Sequence, residues 1–132
     1  MHKVLSIVSN EMTRSIELKN MKTGTIDICF DDSALVSDKN FDFINVGEEY
    51  KCKIKLFGNV TTNLQEKSVL CKVLEKDVSV GTKKMVKVIV ETDEYYIPRK
   101  KISDFLDLNE FYFKYTRKDL IAVDNIVHAD LL

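Results

Sequence analysis

The chain has 132 residues, 45% of them hydrophobic and 31% charged, which suits one soluble globular domain at about 100–200 residues per domain. Disorder, collagen-like repeats and a disulfide-dense secreted scaffold are excluded by that balance. Twenty Lys+Arg against 21 Asp+Glu give a formal charge of −1, whereas nucleic-acid binders usually carry a basic excess. The sum hides an asymmetry: residues 1–50 hold five basic and nine acidic groups, and residues 51–100 hold eleven and six. The basic middle is where an anionic partner fits.

Taken in chain order, the pattern is one of short alternating runs rich in Val, Ile, Tyr, Phe and Thr, the mark of half-buried strands. Residues 3–9 and 15–19 read as the first two strands, with Ile16 and Leu18 opposite Glu17 and Lys19. The stretch 20–24 has turn chemistry and leads into a third strand, 25–30, where Ile26, Ile28 and Phe30 alternate with Asp27 and Cys29. Asp31, Asp32 and Ser33 offer caps to a single helical turn, and 37–47 reads as loop anchored by Phe41, Phe43 and Ile44.

Residues 48–57 form the cleanest strand, with Tyr50, Cys52, Ile54 and Leu56 on one side and Lys51, Lys53 and Lys55 on the other. A turn is expected over 58–63. Strands follow at 68–73 and 85–91, joined through 77–84 with Gly81 at a positive-φ position. Asp93-Glu94 reads as a turn into a short strand, 95–97, ended by Pro98. The spacing of Ile102, Phe105, Leu106 and Leu108 suits a short helix, 110–116 a strand, and 120–127 a last strand or helix.

Eight or nine short strands without a long amphipathic helix predict an all-β fold, an antiparallel barrel or sandwich. The chain is read as a single β-rich domain, residues 1–132. A subdivision into two small β units near residue 47 is the variant, suggested by the pairs Phe41/Phe43 and Phe111/Phe113. The predicted core includes Tyr50, Ile54, Leu56, Val69, Cys71, Val73, Val86, Val88, Val90, Phe111 and Phe113. The run 46–54, Val-Gly-Glu-Glu-Tyr-Lys-Cys-Lys-Ile, resembles the opening strand of OB-type barrels, which often place a Gly-Glu pair before an alternating strand. That resemblance implies a small Greek-key barrel and leaves function open.

Catalytic patterns are sparse. His2 and His128 stand at the two ends of the chain, away from any Ser or Cys nucleophile pattern. Cys29, Cys52 and Cys71 lack zinc-type spacing and read as small buried hydrophobes in a reducing compartment. Gly24, Gly47, Gly58 and Gly81 are too scattered to cradle a phosphate. The aspartates 27, 31, 32, 38 and 42 crowd together as a metal site would, although loop solvation and helix capping explain them more simply. No cofactor or metal is expected. The N-terminal run lacks a signal-peptide core, so the expected location is cytoplasmic.

The leading functional expectation is a non-catalytic interaction module that binds a protein partner or a second copy through its sheet surface. The alternative is an OB-type binder of single-stranded nucleic acid. It would use Lys51, Lys53, Lys55, Phe57, Lys83, Lys84, Lys87, Tyr95, Tyr96, Arg99, Lys100, Tyr112 and Lys114, with rings stacking on bases and cations following phosphates. What separates these residues from ordinary solvated lysines is whether they converge on one face.

Overall fold

The computed structural model describes residues 1–62 and 68–132. These form ten strands: β1 (His2–Asn10), β2 (Thr13–Asn20), β3 (Ile26–Asp31), β4 (Glu49–Tyr50), β5 (Cys52–Thr61), β6 (Ser68–Val80), β7 (Lys83–Val90), β8 (Asp93–Pro98), β9 (Glu110–Val123) and β10 (Ile126–Val127), with one helical turn, α1 (Ser33–Val36). The expected all-β barrel is present. β9 pairs β5, β5 lies parallel to β8, and β8–β7–β6 continue antiparallel until β6 returns to β9. Those five strands close a mixed barrel, which leaves no edge among them. The meander β1–β2–β3 extends the sheet and joins β9 through one parallel register, Phe30 opposite Asp119.

Five expected boundaries or elements change. Gly58 does not begin a turn: β5 runs through it to Thr61, with a bulge between Phe57 and Gly58. A Cβ there would lie 2.0 Å from the Lys114 carbonyl oxygen, so glycine serves a backbone crossing. Residue 63 of the expected turn lies outside the described residues. β6 continues to Val80 over two irregularities in its pairing with β7, and the chain reverses at Gly81, whose φ is +61°. The reversal before β8 falls at Glu91 (φ +56°), so Asp93 and Glu94 already belong to the strand. The expected helix over 102–108 is instead a single 3₁₀ turn, Ser103–Phe105, with another, Arg99–Lys101, just before it. β9 takes in both the expected 110–116 strand and the start of the last one, because it must serve β6, β5, β3 and β10 in turn.

One buried cluster joins Val4, Ile16, Leu18 and Cys29 of the meander to Ile54, Leu56, Val86, Val88, Phe111 and Phe113 of the barrel. Every residue of the predicted core lies in it or packs against it. The three cysteines are unpaired; burial pushes the Cys52 and Cys71 thiols up to about 12 and Cys29 well above its usual value, which leaves them inert.

Two carboxylates fasten the meander to the barrel. Asp27 points inward, where the Tyr95 hydroxyl donates to Oδ2 (2.7 Å) and the Lys118 ammonium pairs with Oδ1. Asp93 accepts from Asn20 Nδ2 (3.0 Å) and from the hydroxyls of Thr23 (2.7 Å), Thr25 (2.6 Å) and Thr92 (3.0 Å), pinning the β2–β3 hairpin onto the β7–β8 turn. Burial alone would raise the Asp93 pKa, but these four hydrogen bonds outweigh it and hold the carboxyl below its usual range. A carboxyl depressed on folding stabilises fully above its unfolded pKa, about 3.9, and loses that stabilisation as pH falls through the folded value. Asp93→Ala is therefore expected to lower stability at pH 7 by about 2–3 kcal/mol. Urea titrations between pH 7 and pH 2 should also show a shallower acid decline for the variant than for wild type.

Candidate functional site

The outer face of the barrel is set by alternation. On β5, Ile54 and Leu56 point into the core, so Lys53, Lys55 and Phe57 point out. On β7, Val86 and Val88 point in and Lys87 points out; on β8, Tyr95 and Ile97 point in and Tyr96 points out. The registers Lys55–Tyr96 and Lys87–Tyr96 place these side chains beside one another.

Tyr96 forms the centre. Its ring is 7% exposed, with Lys53 Nζ 5.6 Å and Lys87 Nζ 5.8 Å from its centroid. Burial tends to lower the Lys87 pKa, yet Tyr96, Glu94 and Glu75 outweigh it and the ammonium is held above its usual value. Next to it Phe57, 43% exposed, lies within cation–π reach of Lys55 (5.7 Å), Lys101 (6.0 Å) and the Arg117 guanidinium (4.6 Å). Arg117 also stacks on Phe30 (4.3 Å) while forking onto Asp119 at 2.5 and 3.2 Å.

Two grooves flank this centre. The first, about 570 Å³, is lined by Lys22 and Thr23 of the β2–β3 hairpin, Lys51 and Lys53 of β5, and Glu94 and Tyr96 of β8, among others. The second, about 380 Å³, holds Lys55, Lys83, Lys84, Pro98 and Lys100 beside Asp130. Several of these cations are uncompensated. Among the described residues, Lys22, Lys51, Lys53, Lys83, Lys100 and Lys101 have no carboxylate at ion-pairing distance, whereas Lys84 and Arg99 share Asp77 (3.5 and 3.7 Å) and Lys87 meets Glu75 (3.6 Å).

No known family matches this chain, and neither the curated proteins nor the solved structures contain a match to it.

Of the residues singled out from sequence, Lys51, Lys53, Lys55, Phe57, Lys83, Lys84, Lys87, Tyr96 and Lys100 gather on this face and its grooves. Tyr95 does not: it is one residue out of phase and spends its hydroxyl on Asp27 in the core. Tyr112 lines a separate groove with Leu70 and Val90 on the β6–β9 side, and Lys114 is exposed on the same half of β9, opposite Ser68. Arg99 stands at the margin with its charge met by Asp77. Lys22 and Phe30 were not legible as site residues, because only the packing of the meander brings them to the barrel.

Most of the acidic cluster is met by other partners. Asp27 is held by Lys118 and Tyr95, Asp31 by Arg14 (2.8 Å), and Asp32 accepts from His128 Nε2 (2.5 Å). Asp32, His128 and Asp130 do bring one ligand-type atom each within 4.8 Å of one another. However, the backbone N–H of Asp130 donates to His128 Nδ1 (3.1 Å), so the neutral ring carries its proton on Nε2, facing Asp32. Both ring nitrogens are thereby committed, and the contact acts as a clamp holding the C-terminal turn Ala129–Leu131 against the barrel. Among the described residues, no helix is long and apolar enough to cross a membrane.

Proposed function

We propose that this protein is a non-catalytic binding module whose barrel engages single-stranded nucleic acid. The observation that carries the reading is the convergence of cations around Tyr96 and Phe57 on one outer face. Among the described residues, Lys53 and Lys101 have no carboxylate at ion-pairing distance, while Lys55 and Lys87 each meet one, Asp119 and Glu75, at 3.6 Å. A backbone of phosphates is the partner that answers a row of ammoniums, and the exposed Phe57 ring among them offers stacking at about 1–3 kcal/mol for a base.

The order of the strands supports it. In an OB barrel the first strand pairs with the second and fourth, the second with the third, and the fifth lies parallel to the third and antiparallel to the fourth. Taken as β6, β7, β8, β9 and then β5, the present barrel has every one of those pairings. In the chain itself β5 comes first, a circular permutation of that order. OB barrels bind through the face of their second and third strands and the loops between first and second and between fourth and fifth. Here those places are β7–β8 with Lys87 and Tyr96, the Gly81 turn with Lys83 and Lys84, and the juncture of Asp124 with Lys51. All three border the cationic face, which favours nucleic acid over a protein partner or a second copy.

The test is fluorescence anisotropy with a labelled mixed-sequence single strand. The double variant Lys53→Glu/Lys101→Glu is expected to weaken binding at least about tenfold, because each reversal replaces a phosphate contact with repulsion. Lys72→Glu, in the separate groove that holds Tyr112, should change it less than about twofold. Equal losses from both variants, or no binding by wild type, would refute the reading.

A further inference from the structure

We infer that the first groove is a receptor for the phosphorylated end of a strand, so that the module grips termini in preference to the middle of a chain. This rests on the nucleic-acid reading above and assigns a specific task to one end of the same face. Three observations lead there.

The face is open along β5 but walled at one end. A strand following Phe57, Lys55 and Lys53 toward the start of β5 meets the β2–β3 hairpin, which stands at the groove through Lys22 and Thr23. That wall is fixed in place. Asn20, Thr23 and Thr25 are all bonded to Asp93, next to the strand that carries Tyr96. Moving the hairpin aside would break three hydrogen bonds to a buried carboxylate, so a continuous strand has no easy way through.

The charge at the wall suits a dianion. Lys22, Lys51 and Lys53 converge there, and none has a carboxylate at ion-pairing distance among the described residues. An internal phosphodiester carries one negative charge, whereas a terminal phosphomonoester carries about −1.5 to −2 at neutral pH. Three unpaired ammoniums discriminate between the two more strongly than a single lysine would. The hydroxyls of Thr23 and Thr92 and the Asn20 amide, which also line the groove, are spent on Asp93. The three lysines share the groove with Met1, His2 and the carboxylates of Glu94 and Asp124, the last of which accepts from the Lys51 backbone N–H (2.8 Å).

The size fits one terminal nucleotide. About 570 Å³ lies within the usual range for small-ligand pockets, roughly 300–1,000 Å³. Ile89 and Tyr96 supply an apolar floor on which a single base can rest. The second groove, at the other end of the face, has no such wall from the meander and accepts the strand as it continues.

The test compares one sequence in four forms: linear with a 5′-phosphate, linear with a 3′-phosphate, linear with hydroxyl ends, and ligated into a circle. At low salt one of the phosphorylated forms is expected to bind at least about tenfold tighter than the circle, reflecting the added charge at short range. The Lys22→Ala/Lys51→Ala variant should weaken the phosphorylated strand by a larger factor than the circle and so reduce that advantage to less than about threefold. A circle that binds as tightly as the phosphorylated strands would overturn end recognition and leave the binding face intact. If no form binds, the nucleic-acid reading itself falls, and end recognition falls with it.

Discussion

Replacing Asp27 with alanine is expected to cost about 3–5 kcal/mol and to lower Tm by roughly 10–15 °C. The carboxylate is 3% exposed, and its two partners come from different barrel strands, Tyr95 on β8 and Lys118 on β9. Without it the Lys118 ammonium is left among Tyr95 and Tyr115, whose ring centroids lie 5.1 Å away, with no counter-charge. The Tyr95 hydroxyl loses its acceptor at the same time. An uncompensated buried cation costs far more than the pair contributed while intact. The combined variant Asp27→Val/Lys118→Met/Tyr95→Phe removes all three polar groups together and should recover most of the lost stability. Denaturant melts of the two variants decide the matter: a loss below about 1 kcal/mol for Asp27→Ala would show that the network does not hold the meander to the barrel.

Gly58→Ala should be comparably damaging, for a steric reason. The added methyl would stand 2.0 Å from the Lys114 carbonyl oxygen and 2.8 Å from the Tyr115 Cα, both backbone atoms that no rotamer change can move. β5 and β9 would have to separate at the bulge, and they form the longest ladder in the barrel. The expected loss is about 3 kcal/mol or more, at the upper end of overpacking effects. An alanine at Gly24, where a Cβ meets nothing within 4 Å, meets only its own positive φ and should cost about 1 kcal/mol. Thermal unfolding of the two variants side by side separates a close backbone approach from a general intolerance of glycine replacement.

The alternation of β5 was readable because its lysines and apolar residues keep strict period 2 from Lys51 to Leu56, and the core and the cationic row follow directly from it. β3 shows the opposite case. Ile26 and Ile28 face solvent while Asp27, Cys29 and Asp31 are buried. Its parity is inverted because Lys118 and Arg14 meet the two charges from elsewhere in the chain. Nothing within the strand announces those partners. The same one-residue logic separates Tyr95 from Tyr96, adjacent in sequence and on opposite sides of the wall. Pairing of strands far apart in the chain was equally hidden: β5 lies beside β8 and β9, and that arrangement alone brings Lys53, Lys87 and Arg117 to one face. Long-range register, rather than local composition, converts a charge-balanced chain into one with a cationic surface.

A surface that holds a single-stranded phosphate backbone binds it with a strong salt dependence. Affinity for a mixed-sequence single strand should be measured from low to moderate salt. With about four or five phosphates met by Lys53, Lys55, Lys87, Lys101 and their neighbours, log K should fall against log salt with a slope near −3. Absence of binding at the lowest salt, or an affinity that does not change across the series, would contradict the account.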